Sequence, residues 1–389
     1  MAARAPRVAM LLENNPYPAD VRVRSEAESL ARAGWRVRVI APRASREPRR
    51  ERVAGVAVER FALPALPASR RGLLAEYALA NVQLHARGLR ALLRGADVVH
   101  LHNPPDTLFP LALAARALGR RVVFDHHDLA PELFAAKFGS SPLRRLLVAC
   151  EQASMAAADV VLCANESHRE VARRRSGRTR AVVVRNGPPR AAIAAAGAVR
   201  GRALKAPRLL FLGGMERQDG VDELARLLLD LRSRHGLAPT LTLVGDGSRR
   251  APLARALDAA GLADAARFTG RVPHGAVPAL LAAADVCLDP APGTPLNHRS
   301  TMVKIAEYLA AGRPVVAYAL CETRRTAGDA VAYAPCGDAD AFAAQVARLA
   351  GDPSARRALA RAAAARAPEL AWERAGEPAL LGAYRELRA

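Results

Sequence analysis

Lys304 and Glu307 stand in the first turns of a segment whose apolar positions, Met302, Ile305, Ala306, Leu309 and Ala310, repeat at helical spacing. Ser300 and Thr301 sit where that helix should start. Gly312 sits where it should end, and Pro314 leads into an apolar strand, Val315-Val316-Ala317. A separation of three puts Lys304 and Glu307 on one face. The start of a helix offers free N–H groups and partial positive charge, so with a lysine beside it, it is a good place to hold a diphosphate. Glu307 can then accept hydrogen bonds from ribose hydroxyls. The plainer reading is a surface ion pair worth about 0.3–0.5 kcal/mol. Asn297 and His298, just before the helix, either meet sugar hydroxyls or form a turn.

Other residues with chemical potential follow apolar runs. Gly213-Gly214 opens the loop to Gly220, and Gly245 and Gly247 follow Val244. Glycine at such places lets backbone come close to a ligand. His100 and His102, two apart at a strand end, are of a metal-ligating type, but no convincing third ligand follows; acceptor-facing or structural roles fit them better. No pair of close catalytic carboxylates of the glycosidase kind is evident.

The elements that must carry these residues alternate. Apolar strands at Val8–Leu12, Val37–Ile40, Val98–Leu101, Val122–Phe124, Val160–Leu162 and Val182–Val184 are separated by helical stretches. Residues 190–207, rich in Ala, Gly and Arg, break the rhythm and read as a linker. The alternation resumes at Leu209–Leu212, Leu241–Val244, Arg267–Thr269, Val286–Leu288 and Val315–Ala317. Such alternation implies α/β architecture with mostly parallel sheets. A length of 389 residues suits two domains.

The formal charge is +21, concentrated in residues 1–200. It points either to an anionic partner, such as a membrane surface, or to plain overuse of arginine. Two stretches mixing leucine and arginine, 69–74 and 142–147, suit a bilayer surface or an ordinary helix face. No apolar run reaches membrane-spanning length, and the N-terminus reads as a buried strand, not a signal peptide. Five scattered cysteines fit reduced thiols in a cytoplasmic protein. Nucleic acid is not an expected partner: no binding motif is present, and at 4% aromatics there is little to stack bases on.

The 297–317 segment resembles the donor-site signature of retaining family 4 glycosyltransferases of the GT-B fold. Glu307 matches the second glutamate of the family's Glu-x7-Glu motif, and Arg299 stands in place of the first. A family subgroup carries Leu-Asn-x-x-Ser-Thr-Met-x-Lys-Ile-x-Glu-Tyr, as this chain does. The resemblance runs from Val8 to the C-terminus. It implies two Rossmann-like domains facing across a cleft. Residues 1–195, completed by a helix at about 372–389, would form the acceptor side, and residues 196–371 the nucleotide-sugar side. Donor contacts would come from Gly213, Gly214, Gly245, Gly270, Arg271, Val272, Asn297, Ser300, Thr301, Met302 and Glu307. The base would be read by main chain near 270–272. The loop cations of many members align with Gly214 and Asp219, which leaves Arg217 to join Lys304 at the diphosphate. On the acceptor side, Pro18-Ala19-Asp20-Val21-Arg22-Val23 matches a subgroup run, making Asp20, Arg22 and Glu26 candidates for cleft contacts, with a capped helix start as the alternative. Phe124-Asp125-His126-His127-Asp128 resembles a family strand end whose histidine points toward the sugar. That histidine is His127, which would position the sugar or manage the acceptor proton, given an ordinary pKa near neutrality. Asp128 and Glu132 are either neighbours in that site or helix caps.

The expected activity is therefore transfer of a sugar, with retention, from a nucleotide-diphosphate-sugar to a sugar or lipid-linked hydroxyl acceptor. Cell-surface polysaccharide or glycolipid assembly is the default setting, in the cytoplasm or peripherally on the inner face of the plasma membrane. Neither cofactor nor metal is expected. The alternatives are a nucleotide-sugar 2-epimerase and a non-catalytic nucleotide-binding subunit.

Overall fold

The computed structural model describes residues 4–44, 47–64, 70–139, 141–177, 180–193 and 199–388. The chain forms two compact units. One is Met1–Asn186 with Ala375–Ala389, and the other is Gly187–Arg374. The boundary expected at 195/196 lies outside the described residues.

In the first unit the strands are β1 (Arg7–Leu11), β2 (Arg36–Pro42), β3 (Arg50–Val53), β4 (Val56–Phe61), β5 (Val98–His102), β6 (Arg121–His126), β7 (Val160–Cys163) and β8 (Ala181–Val183). They lie in the order β3-β4-β2-β1-β5-β6-β7-β8, parallel except for the β3–β4 pair. β1, β5 and β7 are buried along almost their whole length. That is why their sequences are unbroken apolar runs, without alternation. The β3–β4 hairpin is not evident in the sequence. Its turn places Ala54 at φ 47° and Gly55 at φ 85°, a geometry that usually announces itself with Asn-Gly or Asp-Gly.

The second unit holds β9 (Arg208–Leu212), β10 (Thr240–Val244), β11 (Ala266–Gly270), β12 (Val286–Asp289), β13 (Val315–Tyr318) and β14 (Ala332–Ala334), all parallel, in the order β11-β10-β9-β12-β13-β14. Residues 199–207 are not a free linker. Leu204 is buried and its N–H donates to Ala350 O at 2.8 Å, while buried Arg356 donates to Arg200 O at 2.8 Å.

In each sheet the strand order reverses direction at one point: between β1 and β5, and between β9 and β12. Open parallel sheets bind ligands at the carboxyl ends of such switch points. The expected last helix is two pieces, Trp372–Ala375 and Glu377–Glu386, with Gly376 between them and Pro378 in the first turn of the second. The second piece belongs to the first unit. There Tyr384 is buried, its ring 5.0 Å from Trp35 and its hydroxyl 2.9 Å from His100 Nδ1.

Candidate active site

At the switch point of the second sheet, three turns are stitched together by main chain. Gly213 N–H donates to Val244 O at 2.9 Å, and Gly245 N–H donates to Gly270 O at 3.0 Å. Gly245 has φ 130°, and a Cβ there would lie 1.9 Å from Gly213 O. No other residue fits so close an approach at that φ. The loop after β9 is fixed as well. Asn297 spends both amide protons on Gln218 O (2.8 Å) and Pro292 O (2.9 Å). Asn297 is thus a loop clamp, and its amide nitrogen is not available to a sugar.

The helix carrying Lys304 and Glu307 is Val303–Ala310, with Met302 at its N-cap and no side-chain cap. This corrects the expected start at Ser300 and Thr301. The Ser300 hydroxyl instead donates to Leu296 O at 3.0 Å, behind the short turn Asn297–Arg299. Tyr308 bolts the helix to the sheet. Its hydroxyl accepts from Leu212 N–H at 2.9 Å and donates to Leu288 O at 3.2 Å, joining β9 and β12.

Lys304 is 7% exposed. Its Nζ lies 3.2 Å from Asp219 Oδ1, 3.5 Å from Asp289 Oδ1 and 4.5 Å above the Phe211 ring. The ion pair with Glu307, the plainer of the two sequence readings, is not formed, because Asp219 and Asp289 take the lysine. Lys304 is thus flanked by two carboxylates. Burial raises the pKa of Asp289, with Lys304 opposing it. Glu307 is half-buried, and burial pushes its pKa up to about 7, with Lys304 pulling it down. Arg217 and Arg271 are exposed, as is Gly214.

At the switch point of the first sheet, Asp125 at the end of β6 is a hub. Its Oδ1 accepts from Arg22 at 2.7 Å. Its Oδ2 accepts from Arg22 Nε at 2.7 Å and lies 3.0 Å from Nδ1 of both His102 and His127. Arg22 is 6% exposed and also donates to Val184 O and Asn186 Oδ1. It is therefore a buried support, where the sequence offered it as a candidate for a cleft contact. Asp20 caps the helix Val21–Arg32 through Val23 N–H at 2.9 Å, the plainer of its two readings. Glu26 is fully buried; burial first, then Asp125, raises its pKa to about 8. Asn103 clamps the turn after β6, its Oδ1 accepting from the N–H groups of His127 (2.9 Å) and Asp128 (3.0 Å). His126 faces the other way and pairs with Glu151 at 2.8 Å. Glu132 is held by Arg144 and Arg175.

His127 is the member of this network that reaches the surface, its side chain 11% exposed. Burial alone would lower its pKa, but Asp125 outweighs burial and raises it to about 9. This corrects the expectation of a histidine titrating near neutrality. Burial raises the pKa of Asp128. Glu26, His100, His102 and Asp125 bring ligand-type atoms within 4.8 Å of one another. They do not suit a cation, because the Arg22 guanidinium already lies against both carboxylates.

Ser69 and the side chains of Arg70, Arg71, Leu73 and Leu74 lie outside the described residues. In the other basic stretch, Arg144 is paired with Glu132 at 3.3 Å. No helix among the described residues is long and apolar enough to cross a membrane.

Two parallel α/β units, each with charged side chains at its switch point, make up a GT-B fold. Sucrose-phosphate synthase from Thermosynechococcus elongatus is similar over 98% of this chain and 99% of its own, with a TM-score of 0.76 and 20% identity. HepE of Anabaena, in complex with UDP and glucose, is similar over 98% of both chains, with a TM-score of 0.68 and 17% identity. Residues 19–187 match the Glycosyl transferase 4-like domain, and residues 206–352 match Glycosyl transferases group 1. The chain belongs to the family 4-like glycosyltransferases. Two curated relatives match in part. The 2-deoxystreptamine N-acetyl-D-glucosaminyltransferase of Streptomyces fradiae is 38% identical over 28% of this chain and 24% of its own length. The 2-deoxystreptamine glucosyltransferase of Streptomyces kanamyceticus is 32% identical over 38% of this chain and 37% of its own length. The chain thus spans well under half the length of either.

Proposed function

We propose that this chain transfers a sugar from a nucleotide-diphosphate-sugar to a hydroxyl acceptor, with retention at the anomeric carbon and without a metal. The observation that carries this reading is the second unit's switch point. Three glycine turns are stitched closely together there, and the helix Val303–Ala310 brings Lys304 and Glu307 to the same edge. The barrier to transfer lies in separating an anionic diphosphate from an oxocarbenium-like sugar, and fixed positive groups aimed at the diphosphate lower it. In this reading Lys304, Arg217 and the helix N–H groups do that work, and Glu307 holds the ribose. The bond from the anomeric carbon to the phosphate oxygen breaks, a bond to the acceptor oxygen forms on the same face, and the leaving phosphate takes the acceptor proton.

Family membership and the UDP complexes of a fold relative support a nucleotide-sugar donor. Both partial relatives are named for 2-deoxystreptamine, a small hydroxylated acceptor. That favours a small polyol over the polysaccharide or glycolipid acceptor expected from charge.

The test is a thermal-shift panel with UDP-, GDP-, ADP- and dTDP-sugars, with and without magnesium. One donor should raise the midpoint in wild type but not in Glu307→Ala, with no need for metal. That donor is then incubated with small polyol acceptors, and the anomeric configuration of the product is read by NMR. Conversion of the donor alone would mark an epimerase. Binding without turnover on any acceptor would mark a non-catalytic subunit.

A further inference from the structure

The sequence left His127 two tasks, positioning the sugar or managing the acceptor proton, and its surroundings decide between them. Asp125 receives the Nδ1 hydrogen of His127 at 3.0 Å. Asp125 cannot turn away, because Arg22 grips both of its oxygens at 2.7 Å and His102 holds Oδ2 from β5 at 3.0 Å. Asn103 fixes the backbone of His127 at the same time. No protein group among the described residues bonds the other ring nitrogen, so Nε2 is left for a ligand. Resting on the transferase reading above, we propose that Asp125 is a positioning residue that keeps His127 an imidazolium, and that His127 serves transfer as a fixed charged donor to a substrate oxygen, not as the base for the acceptor proton.

The charges facing His127 agree with this. Asp125 and Asp128 lie on its own segment, Asp20, Arg22 and Glu26 on the helix Val21–Arg32 and the turn before it, His100 and His102 on β5, and His168 on the helix after β7. Arg22 opposes a second positive charge, but by less than Asp125 favours it. His100, His102 and His168 are held neutral chiefly by burial. Glu26 favours its protonated form. That leaves Asp125 as the bonded anion, and the cation it selects is the partly exposed histidine. An imidazolium has no lone pair to accept a proton. It can donate a charge-assisted hydrogen bond, roughly twice as strong as a neutral one.

The experiment is a ¹³C-histidine NMR titration of the full, unliganded chain, with the His127 signal assigned by its loss in His127→Gln. His127 should stay an imidazolium at pH 7.5 and titrate near 9. A midpoint at or below 7 would overturn the proposal. In Asp125→Asn the midpoint should fall by at least one pH unit, and kcat by at least tenfold, with donor KM within threefold. Asp125→Glu, which restores the carboxylate, should recover part of both. An unmoved midpoint in folded Asp125→Asn overturns the positioning role. If Asp125→Asn does not fold, the wild-type titration still decides. Because that titration uses no substrate, it is unaffected if the transferase reading itself fails.

Discussion

Lys304 and Asp219 form an ion pair of 3.2 Å across 85 residues of chain, with Asp289 on the lysine's other side at 3.5 Å. By the resemblance to the family, Asp219 stands where many members carry a cation. Here one acidic side chain both replaces that cation and engages the neighbouring lysine. On the proposed reading, a diphosphate arriving at this edge would have to share Lys304 with it.

Removing the lysine should therefore cost stability as well as turnover. Lys304→Met leaves Asp219 and Asp289 without their shared cation, and breaking a buried pair on one side costs about 3–5 kcal/mol. We expect Tm to fall by on the order of 10 °C. The double variant Lys304→Met/Asp219→Asn should regain part of that loss, a coupling that calorimetry on the four proteins would measure.

Relieving the competition should do the reverse to affinity. In Asp219→Asn, Lys304 keeps only Asp289, so UDP should bind about three- to tenfold tighter, as expected if one charge-assisted hydrogen bond no longer competes. Titration calorimetry with UDP reads this directly. Weaker binding would mean that Asp219 shapes the loop more than it screens the lysine.

Gly245→Ala is the sharpest test of the stitched turns. Its Cβ would sit 1.9 Å from Gly213 O at φ 130°. Backbone strain and overpacking together should destabilise the unit by about 3 kcal/mol or more. Thermal unfolding should show that loss, together with loss of the nucleotide-induced shift.

Acidity at Glu307 gives a pH signature. Burial lifts its pKa to about 7, against an ordinary value of 4.5. The folded chain thus holds that proton more tightly than the unfolded one. The stability this contributes is full below about 4.5 and is lost as pH rises through 7. Ribose hydroxyls, in contrast, need the carboxylate. UDP affinity should accordingly rise between pH 6 and pH 8, by about tenfold at most, and Glu307→Gln should flatten the rise.

Much of the architecture was legible because parallel strands buried on both faces leave unmistakable apolar runs. The strands at Val8, Val98 and Val286 are of that kind. The hairpin of β3 and β4 was not legible, since Ala54 sits at a left-handed position without the usual turn residue and β3 is built of Arg-Glu-Arg-Val. In the site, local spacing correctly placed Lys304 and Glu307 on one short helix. It could not show that Asp219 and Asp289 would claim the lysine, because those pairings are made by the topology of β9 and β12. Asp125 was missed for the same reason. Its partners come from residues 22, 102 and 127, and only the sheet brings them together. The helix start was misread because serine and threonine are good caps in general, whereas here Ser300 is engaged by the turn before it.

Tyr384 gives the chain an unusual timetable. The first sheet is fully written by Val183, but the hydroxyl that lies against His100 comes 284 residues after its partner. At roughly 5–20 residues per second, a ribosome needs on the order of 10–40 s to pass from Val183 to Tyr384. Throughout that interval the nascent first unit has its strands but not its closing aromatic, and the second unit must be threaded out before the first can be finished. The helix Glu377–Glu386 thus acts as a keystone laid after the arch, and a copy interrupted before Tyr384 would carry both sheets yet lack the piece that packs against the older one.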